Sequence, residues 1–180
     1  FSINKQTLFS ILSEHNKVVP LRTTLPVLSC ALFSTKKNKL NIKTSDLEQT
    51  ITSSSPATVS KEGSLAIPIA KILEILGALP NEEIQISANK DFLVEINSKM
   101  GVYRITGKQP EDFPETPKDI IKQEIELESK ILIDFIDKTG YAVSKDDLKP
   151  ALCGIYLNIN KERLLGVATD GHKLVKHIKK

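Results

Sequence analysis

The stretch VATDGHKL at residues 167–174 decides the fold of this 180-residue chain, because a related stretch occurs earlier in the sequence. Asp-Gly between two runs of alternating apolar residues is typical of a tight hairpin, and we predict a type I′ turn at Asp170-Gly171. Asp46 lies 124 residues before Asp170, and Ser45 lies at the same distance before Thr169. This constant spacing points to an internal repeat.

The repeat extends over about fifty residues in each copy without a gap. Pro26 meets Pro150 at the same shift, and apolar positions meet apolar positions throughout. The apolar pairs are Ile3 with Leu127, Leu8 with Leu132, Ile11 with Phe135, Leu12 with Ile136, Val18 with Ala142, Val19 with Val143, Leu28 with Leu152, Leu32 with Tyr156, Phe33 with Leu157 and Leu40 with Leu164. Because a duplicated unit dictates the architecture, we expect residues 1–56 and 125–180 to fold alike.

The spacing of apolar residues predicts three helices. Apolar residues three and four positions apart indicate an amphipathic helix near 5–15, after a short strand, and its counterpart near 129–138. We expect Asn16 and Gly140 to end these two helices in the left-handed conformation. A further apolar stripe predicts a helix at 69–77.

Alternating apolar residues between turn residues predict a strand-rich first unit. Strands are expected near 29–34, 40–44, 47–52, 58–60, 64–68, 83–88, 92–97 and 102–106, with turns at 37–39 and 89–91. Three prolines within 109–117 predict an interdomain linker, which we extend to residue 121. The fold class is therefore α+β, a repeated domain of two helices packed on mostly antiparallel sheets. The first domain is expected at 1–117, and a truncated second domain at 122–180.

The composition is that of an ordinary globular protein with a slight excess of positive charge. Hydrophobic residues make up 40% and charged residues 26%, and the formal net charge of +3 permits an anionic partner. Cys30 and Cys153 lie in apolar runs without metal-ligand spacing, so we expect buried reduced thiols, a reducing compartment, and no metal or cofactor. No apolar run approaches the roughly 20 residues of a membrane span. We expect a cytoplasmic protein without membrane contact, trimmed at both ends.

The predicted turn at Asp170-Gly171 is the first candidate site. It would display Thr169, His172 and Leu174 at a sheet edge, where polar and apolar groups together suit a partner peptide. With Leu152 on the neighbouring strand as its floor, a small pocket for an apolar anchor is expected there.

An enzymatic interpretation would pair Asp170 with His172. No nucleophile elbow, metalloprotease motif or nucleotide-binding loop accompanies them, so catalysis is not favoured. His15 and His177 are isolated in the sequence, and we expect them at the surface or at helix ends.

Basic residues on or just after the predicted helices form the second candidate site. They are Lys5, Lys17, Arg22, Lys71, Lys130 and Lys138. Such residues either belong to solvated helix faces or contact phosphates without reading bases, and the sequence leaves both interpretations open.

Four blocks of sequence, in order, point to a known family. They are RTTLPVL at 22–28, TSDLE at 44–48, EDFP at 111–114 and VATDGHKL at 167–174. With these blocks and the repeat, the chain resembles the bacterial DNA polymerase sliding clamp, the β subunit of the replicative polymerase, over all 180 residues. The resemblance implies the DNA-clamp fold, with three copies of one domain per subunit. The chain would hold the first copy and the opening of the second.

The resemblance also implies a function and partners. It implies a head-to-tail homodimeric ring of complete subunits that encircles double-stranded DNA without sequence specificity and without catalysis of its own. The other partners would be the replicative DNA polymerase, the clamp loader and further proteins with clamp-binding peptides. A ring holds DNA by enclosing it, so weak phosphate contacts suffice, and tethering raises the effective concentration of the polymerase.

Finally, the resemblance implies roles for individual residues. It places a partner-peptide cleft at Leu152, Thr169, Gly171, His172, Lys173 and Leu174. It implies a DNA contact for Arg22, whereas Lys149-Pro150-Ala151 stands where well-known relatives carry aromatic residues in a second DNA-contacting loop. On the predicted helix at 69–77 it implies a subunit contact for Lys71, Ile75 and Leu79.

Two other functions stay open on the sequence alone. A stand-alone peptide-binding module would bind its ligand with this chain by itself, whereas half of a clamp cleft would not. A hydrolase would need a nucleophile near His172.

Overall fold

The computed structural model describes residues 1–20, 22–115, 125–146, 148–160 and 163–179. The chain divides into two compact units, Phe1–Lys118 and Asp119–Lys180. Unit one contains β1 (Ser2–Asn4), α1 (Lys5–His15), β2 (Cys30–Lys36), β3 (Lys39–Ser45), β4 (Thr50–Pro56), β5 (Gly63–Pro68), α2 (Ile69–Ala78), β6 (Glu83–Ala88), β7 (Leu93–Ser98) and β8 (Gly101–Thr106). Its strands form two four-stranded antiparallel sheets, with the orders β4-β3-β2-β5 and β1-β6-β7-β8.

Both helices and both sheets of unit one share one hydrophobic core. Leu8 and Leu12 of α1 lie one turn apart on the same face and are fully buried. The remaining core residues include Ala31, Phe33, Leu40, Ile42, Ile67, Ile69, Ile72, Leu76, Ile84, Val94 and Ile96. The predicted α+β class and antiparallel sheets are confirmed.

The ends of the helices follow from local hydrogen bonds. The side-chain oxygen of Asn4 accepts from the amides of Gln6 and Thr7, at 2.9 and 3.2 Å, and so begins α1. The left-handed ends predicted for α1 and its counterpart are wrong, because Asn16 has φ −64° and Gly140 has φ −61°. The chain instead leaves each helix through a further right-handed turn.

Three strand predictions need correction. The strand expected at 47–52 begins at Thr50, because residues 46–49 form a loop. No strand forms at 58–60, where Thr58 makes only an isolated bridge to Ser2. In unit two, Leu127 lies outside any strand, whereas its counterpart Ile3 lies in β1 and pairs with Ile84 of β6. The described part of unit two contains no strand equivalent to β6.

Unit two repeats the first half of unit one. It contains α3 (Ser129–Thr139), β9 (Tyr156–Ile159), β10 (Leu164–Thr169) and β11 (Leu174–Lys179), with the strands in the order β11-β10-β9. A shift of 124 residues places α1 on α3 end to end. The same shift relates the cross-strand pair Ser45↔Thr50 of β3 and β4 to the cross-strand pair Thr169↔Leu174 of β10 and β11. The repeat predicted from the sequence is therefore confirmed, including the strand register within each unit.

The beginning of the predicted linker packs on unit one. Pro110–Asp112 forms a 3₁₀ helix, and Phe113 is buried with Val27, Cys30 and Ala66. The ammonium group of Lys43 lies 5.2 Å from the centre of the Phe113 ring. Residues 109–115 are thus not a free spacer, and residues 116–121 of the predicted linker lie outside the described part of the chain.

Candidate partner-binding and DNA-contacting sites

The loop between β10 and β11, residues 170–173, is held by hydrogen bonds to two side chains. The Asp170 carboxylate accepts from the amides of His172 and Lys173, both at 2.9 Å. The Thr169 hydroxyl donates to the carbonyl of Lys173 at 2.7 Å and accepts from the amide of Gly171 at 3.1 Å. The loop therefore has a fixed shape although it is exposed to solvent.

The hairpin is confirmed, but the predicted type I′ turn is wrong. That turn needs positive φ at both central residues, and only Gly171 has it, at φ 92°. The Asp170 side chain acts as an acceptor for two amides instead, which suits a four-residue loop. The amide of Lys173, its ammonium group at 2.9 Å and the amide of His172 together hold the pKa of Asp170 far below its usual value.

The six residues of the predicted cleft take different positions. Gly171, His172, Lys173 and Leu174 are exposed, and Leu174 at 66% offers a large apolar side chain to solvent. Thr169 is half-buried, and its hydroxyl is already engaged within the loop. The expectation that Leu152 lies on a neighbouring strand is wrong, because it is the last residue of the 3₁₀ helix Pro150–Leu152. It is half-buried there, and its carbonyl accepts from the Ser144 amide at 2.8 Å.

The geometry argues against an Asp-His catalytic pair in this loop. Asp170 accepts from the main-chain amide of His172 and does not orient its imidazole ring. A general base needs its ring nitrogens positioned by such a partner. Within the described residues, no three His, Cys, Asp or Glu side chains gather as metal ligands.

The other two histidines are expected at the surface or at helix ends; His15 does end α1, but a surface position is wrong for both. His15 is fully buried, and its ring nitrogens lie 2.9 Å from the hydroxyl oxygens of Thr44 and Ser53. His177 is partly buried, 3.0 Å from Asp134, and its ring packs against Phe135 with centroids 4.6 Å apart and the ring planes tilted by 54°. The sequence signal for a buried His15 is its position at the end of the helix, on the same face as Leu8 and Leu12.

The loop that carries Arg22 joins α1 to the 3₁₀ helix Pro26–Ser29. Arg22 is exposed, and the chain after it is anchored by the buried side chains of Val27 and Leu28. The Thr23 hydroxyl accepts from the amide of Leu25 at 3.0 Å, which shapes the loop. Because the loop is already anchored, little further conformational entropy is lost when Arg22 binds an external anion.

The other predicted cations differ in their availability. Lys5 is 8% exposed and its ammonium group lies 5.2 Å from the centre of the Phe9 ring, so a phosphate contact through it is wrong. Lys17 pairs with Glu14 at 2.6 Å and Lys138 with Asp134 at 2.8 Å. Lys130 is exposed. Of the cations on the two repeated helices, Lys130 has no ion-pair partner among the described residues.

Helix α2 presents only part of the predicted subunit contact. Lys71 is exposed and Ile75 is half-buried, but Leu79 is 4% exposed and packs in the core of unit one. Leu79 follows the helix with an extended backbone, and its amide donates to the carbonyl of Leu76. The side chain of Leu79 therefore packs inside unit one and is not available for a subunit contact.

A separate depression of about 570 Å³ lies beside the start of α1 and contains none of the predicted site residues. Asn4, Thr7, Asn38, Ser55 and Glu83 are among its lining residues. None of the helices in the described ranges is both apolar and long enough to cross a bilayer.

Comparison with known protein families decides the relationship. Residues 1–117 match the DNA polymerase III beta subunit, N-terminal domain, and residues 126–179 match the DNA polymerase III beta subunit, central domain. The chain belongs to the DNA polymerase III beta subunit family. The two matches follow one another in the order of the structural repeat.

Individual relatives agree with this membership. The beta sliding clamp of Staphylococcus epidermidis is 30% identical over 182 aligned residues, which cover 97% of this chain and 48% of the relative. The sliding clamp of Bacillus subtilis matches with a TM-score of 0.93 at 25% identity, over 99% of this chain and 49% of that one. A sliding clamp of Bartonella birtlesii, solved with griselimycin bound, matches with a TM-score of 0.93 at 27% identity, over 99% and 49% of the two chains. The chain thus has the sliding-clamp fold and spans about half the length of the relatives it matches.

Proposed function

We propose that this chain forms the first domain and the opening of the second domain of a processivity factor, a ring that encloses duplex DNA and tethers the replicative polymerase. The observation that carries the proposal is the succession of the N-terminal and central family matches over one structural repeat. The factor acts in the cytoplasm and catalyses no reaction of its own. Its ring is a head-to-tail homodimer of complete subunits.

Exposed apolar residues in unit two support further domain structure beyond the described residues. Leu8 and Leu12 are fully buried in unit one, where α1 packs against α2. Their counterparts Leu132 and Ile136 on α3 are 39% and 49% exposed. A second half like that of unit one would cover them and gain about 25 cal/mol for each Å² of apolar surface removed from water.

The ring would hold DNA by topology, with weak contacts that do not read the bases. We propose Arg22 and Lys130 as phosphate contacts, because both are exposed and neither has an ion-pair partner among the described residues. Phosphate contacts carry no sequence information and allow sliding. Loss of the Arg22 charge is expected to weaken loading onto DNA modestly. It is also expected to reduce the slope of DNA affinity against salt by about the share of one phosphate contact.

The partner-peptide cleft is proposed at the Asp170 loop and the 3₁₀ helix that ends at Leu152. The exposed side chains of His172, Lys173 and Leu174 would contact an extended peptide, while Thr169 and Gly171 hold the loop in shape. In the full-length protein, Leu174→Ala or His172→Ala is expected to weaken binding of a polymerase-derived peptide by more than about 1 kcal/mol while ring assembly stays intact. Unchanged affinity by calorimetric titration in both variants would contradict the cleft.

The ring itself is tested by topology. The full-length protein, loaded onto a nicked circular plasmid and passed through a sizing column, is expected to stay with the circle. After a single cut linearises the plasmid, the protein is expected to dissociate by sliding off the ends. Equal retention on both forms, or tight peptide binding by the 180-residue chain alone, would instead favour a stand-alone peptide-binding module.

A further inference from the structure

The tip of the β2–β3 hairpin gathers four exposed lysines, Lys36, Lys37, Lys39 and Lys61, which we name the lysine tip. Together with Glu62, the lysine tip carries a formal charge of +3, which equals the formal charge of the whole chain. The remaining basic and acidic residues therefore balance, with 21 of each. The lysine tip is therefore a local excess of positive charge.

The four lysines are held together by the fold. Lys37 and Asn38 occupy the turn with φ 47° and 57°, which matches a type I′ hairpin and fixes its shape. The loop that carries Lys61 is attached to the hairpin: the Lys37 amide donates to Glu62 at 2.9 Å, and the Ala57 amide donates to the Asn38 carbonyl at 3.0 Å. The Thr35 hydroxyl also donates to the carbonyl of Lys61 at 3.3 Å.

This arrangement is unfavourable for the free protein. Lys36 and Lys39 lie directly opposite each other in the sheet, and like charges in that position are destabilising. Among the described residues, no carboxylate lies within ion-pair distance of any of the four ammonium groups. Lysines often protect exposed sheet edges from pairing, but β2 and β3 are the inner strands of their sheet, so edge protection does not account for them.

We propose that the lysine tip is a second phosphate-contacting surface for duplex DNA. It lies at the far end of β2 from the 3₁₀ helix Pro26–Ser29, about 20 Å away along six residues of strand, and therefore away from the loop that carries Arg22. The tip surrounds a shallow depression of about 150 Å³ lined by Lys37, Asn38, Val59, Ser60, Lys61 and Glu62. No aromatic side chain lines it, so it offers charge to a backbone and no surface for stacking of single-stranded bases.

The choice of duplex DNA as the polyanion that binds the lysine tip rests on the proposed function. Duplex DNA threaded past Arg22 would meet the lysine tip at the opposite end of unit one, so that two separated contacts set the tilt of the duplex. By sequence, the shift of 124 residues carries Lys37, Asn38 and Lys39 onto Lys161, Glu162 and Arg163, so an acidic residue stands between the two basic ones there.

The test is fluorescence anisotropy with the 180-residue chain and a labelled duplex of about 20 base pairs, over roughly 50 to 200 mM salt. The variant K36Q/K37Q/K39Q/K61Q is expected to lose at least tenfold in affinity at low salt. The slope of log Kd against log salt is expected to fall by up to about 3.6, since each of the four phosphate contacts contributes about 0.9. The matched control K90Q/K99Q/K176Q/K179Q removes four exposed lysines elsewhere and is expected to keep the slope of the unmodified chain.

The outcomes separate the lysine tip from the ring. Equal losses in both quadruple variants, or an unmodified chain that shows no salt-dependent binding, would overturn the lysine tip as a site. Competition by a poly-glutamate peptide at matched charge, as effective as unlabelled duplex, would assign the site to an acidic protein and overturn the DNA assignment. A tip-dependent slope together with failed retention on circular plasmid would support the tip and reject the ring.

Discussion

The loop 46–49 of unit one and the loop 170–173 of unit two have the same hydrogen bonds but different residue types at their second position. In both, an aspartate accepts from two amides and the preceding hydroxyl bridges the loop. The residue after the aspartate has positive φ in each, 82° in Leu47 and 92° in Gly171. The hydrogen bonds therefore determine the backbone conformation of the loop, and this conformation is the same whether leucine or glycine occupies the second position.

The contact between helix and sheet is a second place where the two units differ in residue type. In unit two, Phe135 lies over Gly166, where an added Cβ would meet a ring atom at 2.6 Å. The counterparts in unit one are Ile11 and Ile42, two side chains of similar size. A larger side chain on the helix thus fills part of the space given up on the strand.

The largest effect is expected from breaking this pair in unit two. Phe135→Ala should cost about 3–5 kcal/mol, because it empties a fully buried aromatic site. Gly166→Ile should also destabilise unit two, and adding Phe135→Ile, as in unit one, should recover part of the loss. Hydrogen exchange of the β10 amides measures the free energy of opening in unit two. Gly154→Ala is the control, since nothing lies within 4 Å of its added Cβ, and an equal cost for Gly166→Ile would reject the exchange.

The buried histidine of unit one gives the next effect. The Thr44 hydroxyl lies 3.4 Å from the His15 carbonyl, to which it donates, so the hydroxyl oxygen accepts from Nδ1–H and Nε2 accepts from Ser53. His15→Leu leaves both hydroxyls without this partner and should cost on the order of 2 kcal/mol. The triple variant with Thr44→Val and Ser53→Ala should be less destabilised, since unit two tolerates Thr139 and Ala168 at two of these positions. Chemical denaturation of unit one measures both.

The same histidine makes the stability of unit one depend on pH. Burial lowers the pKa of His15 below its usual value of about 6.5, because charging the ring requires desolvation. Since the folded pKa lies below the unfolded one, the contribution is fully present above pH of about 6.5 and is lost as the pH falls below it. The pH slope should disappear in His15→Leu, and a slope that persists there would assign the effect to other groups.

A smaller effect of opposite sign is expected at the two loops. Leu47→Gly should stabilise unit one by roughly 0.5–1 kcal/mol, because relief of the left-handed strain exceeds the entropy cost of glycine. Gly171→Ala should destabilise unit two by about 1 kcal/mol for the converse reason. Glu48→Gly is the control in the same loop, since its φ is not positive, and it should destabilise. Thermal unfolding monitored for each unit checks the signs, and equal signs for Leu47→Gly and Glu48→Gly would contradict the strain.

The smallest effect concerns the charge of Asp170. Its pKa is depressed, so the order that it gives the loop is present above pH of about 3.9 and is lost as the pH falls through the lower folded value. Asp170→Asn should keep the loop at neutral pH, because the amide oxygen still accepts from His172 and Lys173, whereas Asp170→Ala should not. The amide chemical shift of Gly171 reports the loop, and an unchanged shift in Asp170→Ala would show that Thr169 alone holds it.

The sequence by itself determined the repeat and the helices. A constant shift of 124 residues requires only that like residues recur in order, and apolar spacing along one element is a local property. For this reason the predicted bounds of α1 and α3 agree with the observed ones within a residue or two, and the hairpin at Asp170-Gly171 follows from the sequence although its turn type does not. Three of the four lysines of the lysine tip lie within four residues of sequence, but only the fold brings Lys61 to them.

Only the tertiary structure decided which side chains the fold keeps for itself. Lys5, His15 and Leu79 were each assigned to a surface or a contact, and each is buried by elements from distant parts of the sequence. The loop conformation at Asp170 depends on hydrogen bonds that compete with the intrinsic preference of Asp-Gly for a two-residue turn. Burial depends on what packs against a position, and that partner is set by the pairing of β1 with β6 and of α1 with α2, not by the residue's own neighbours.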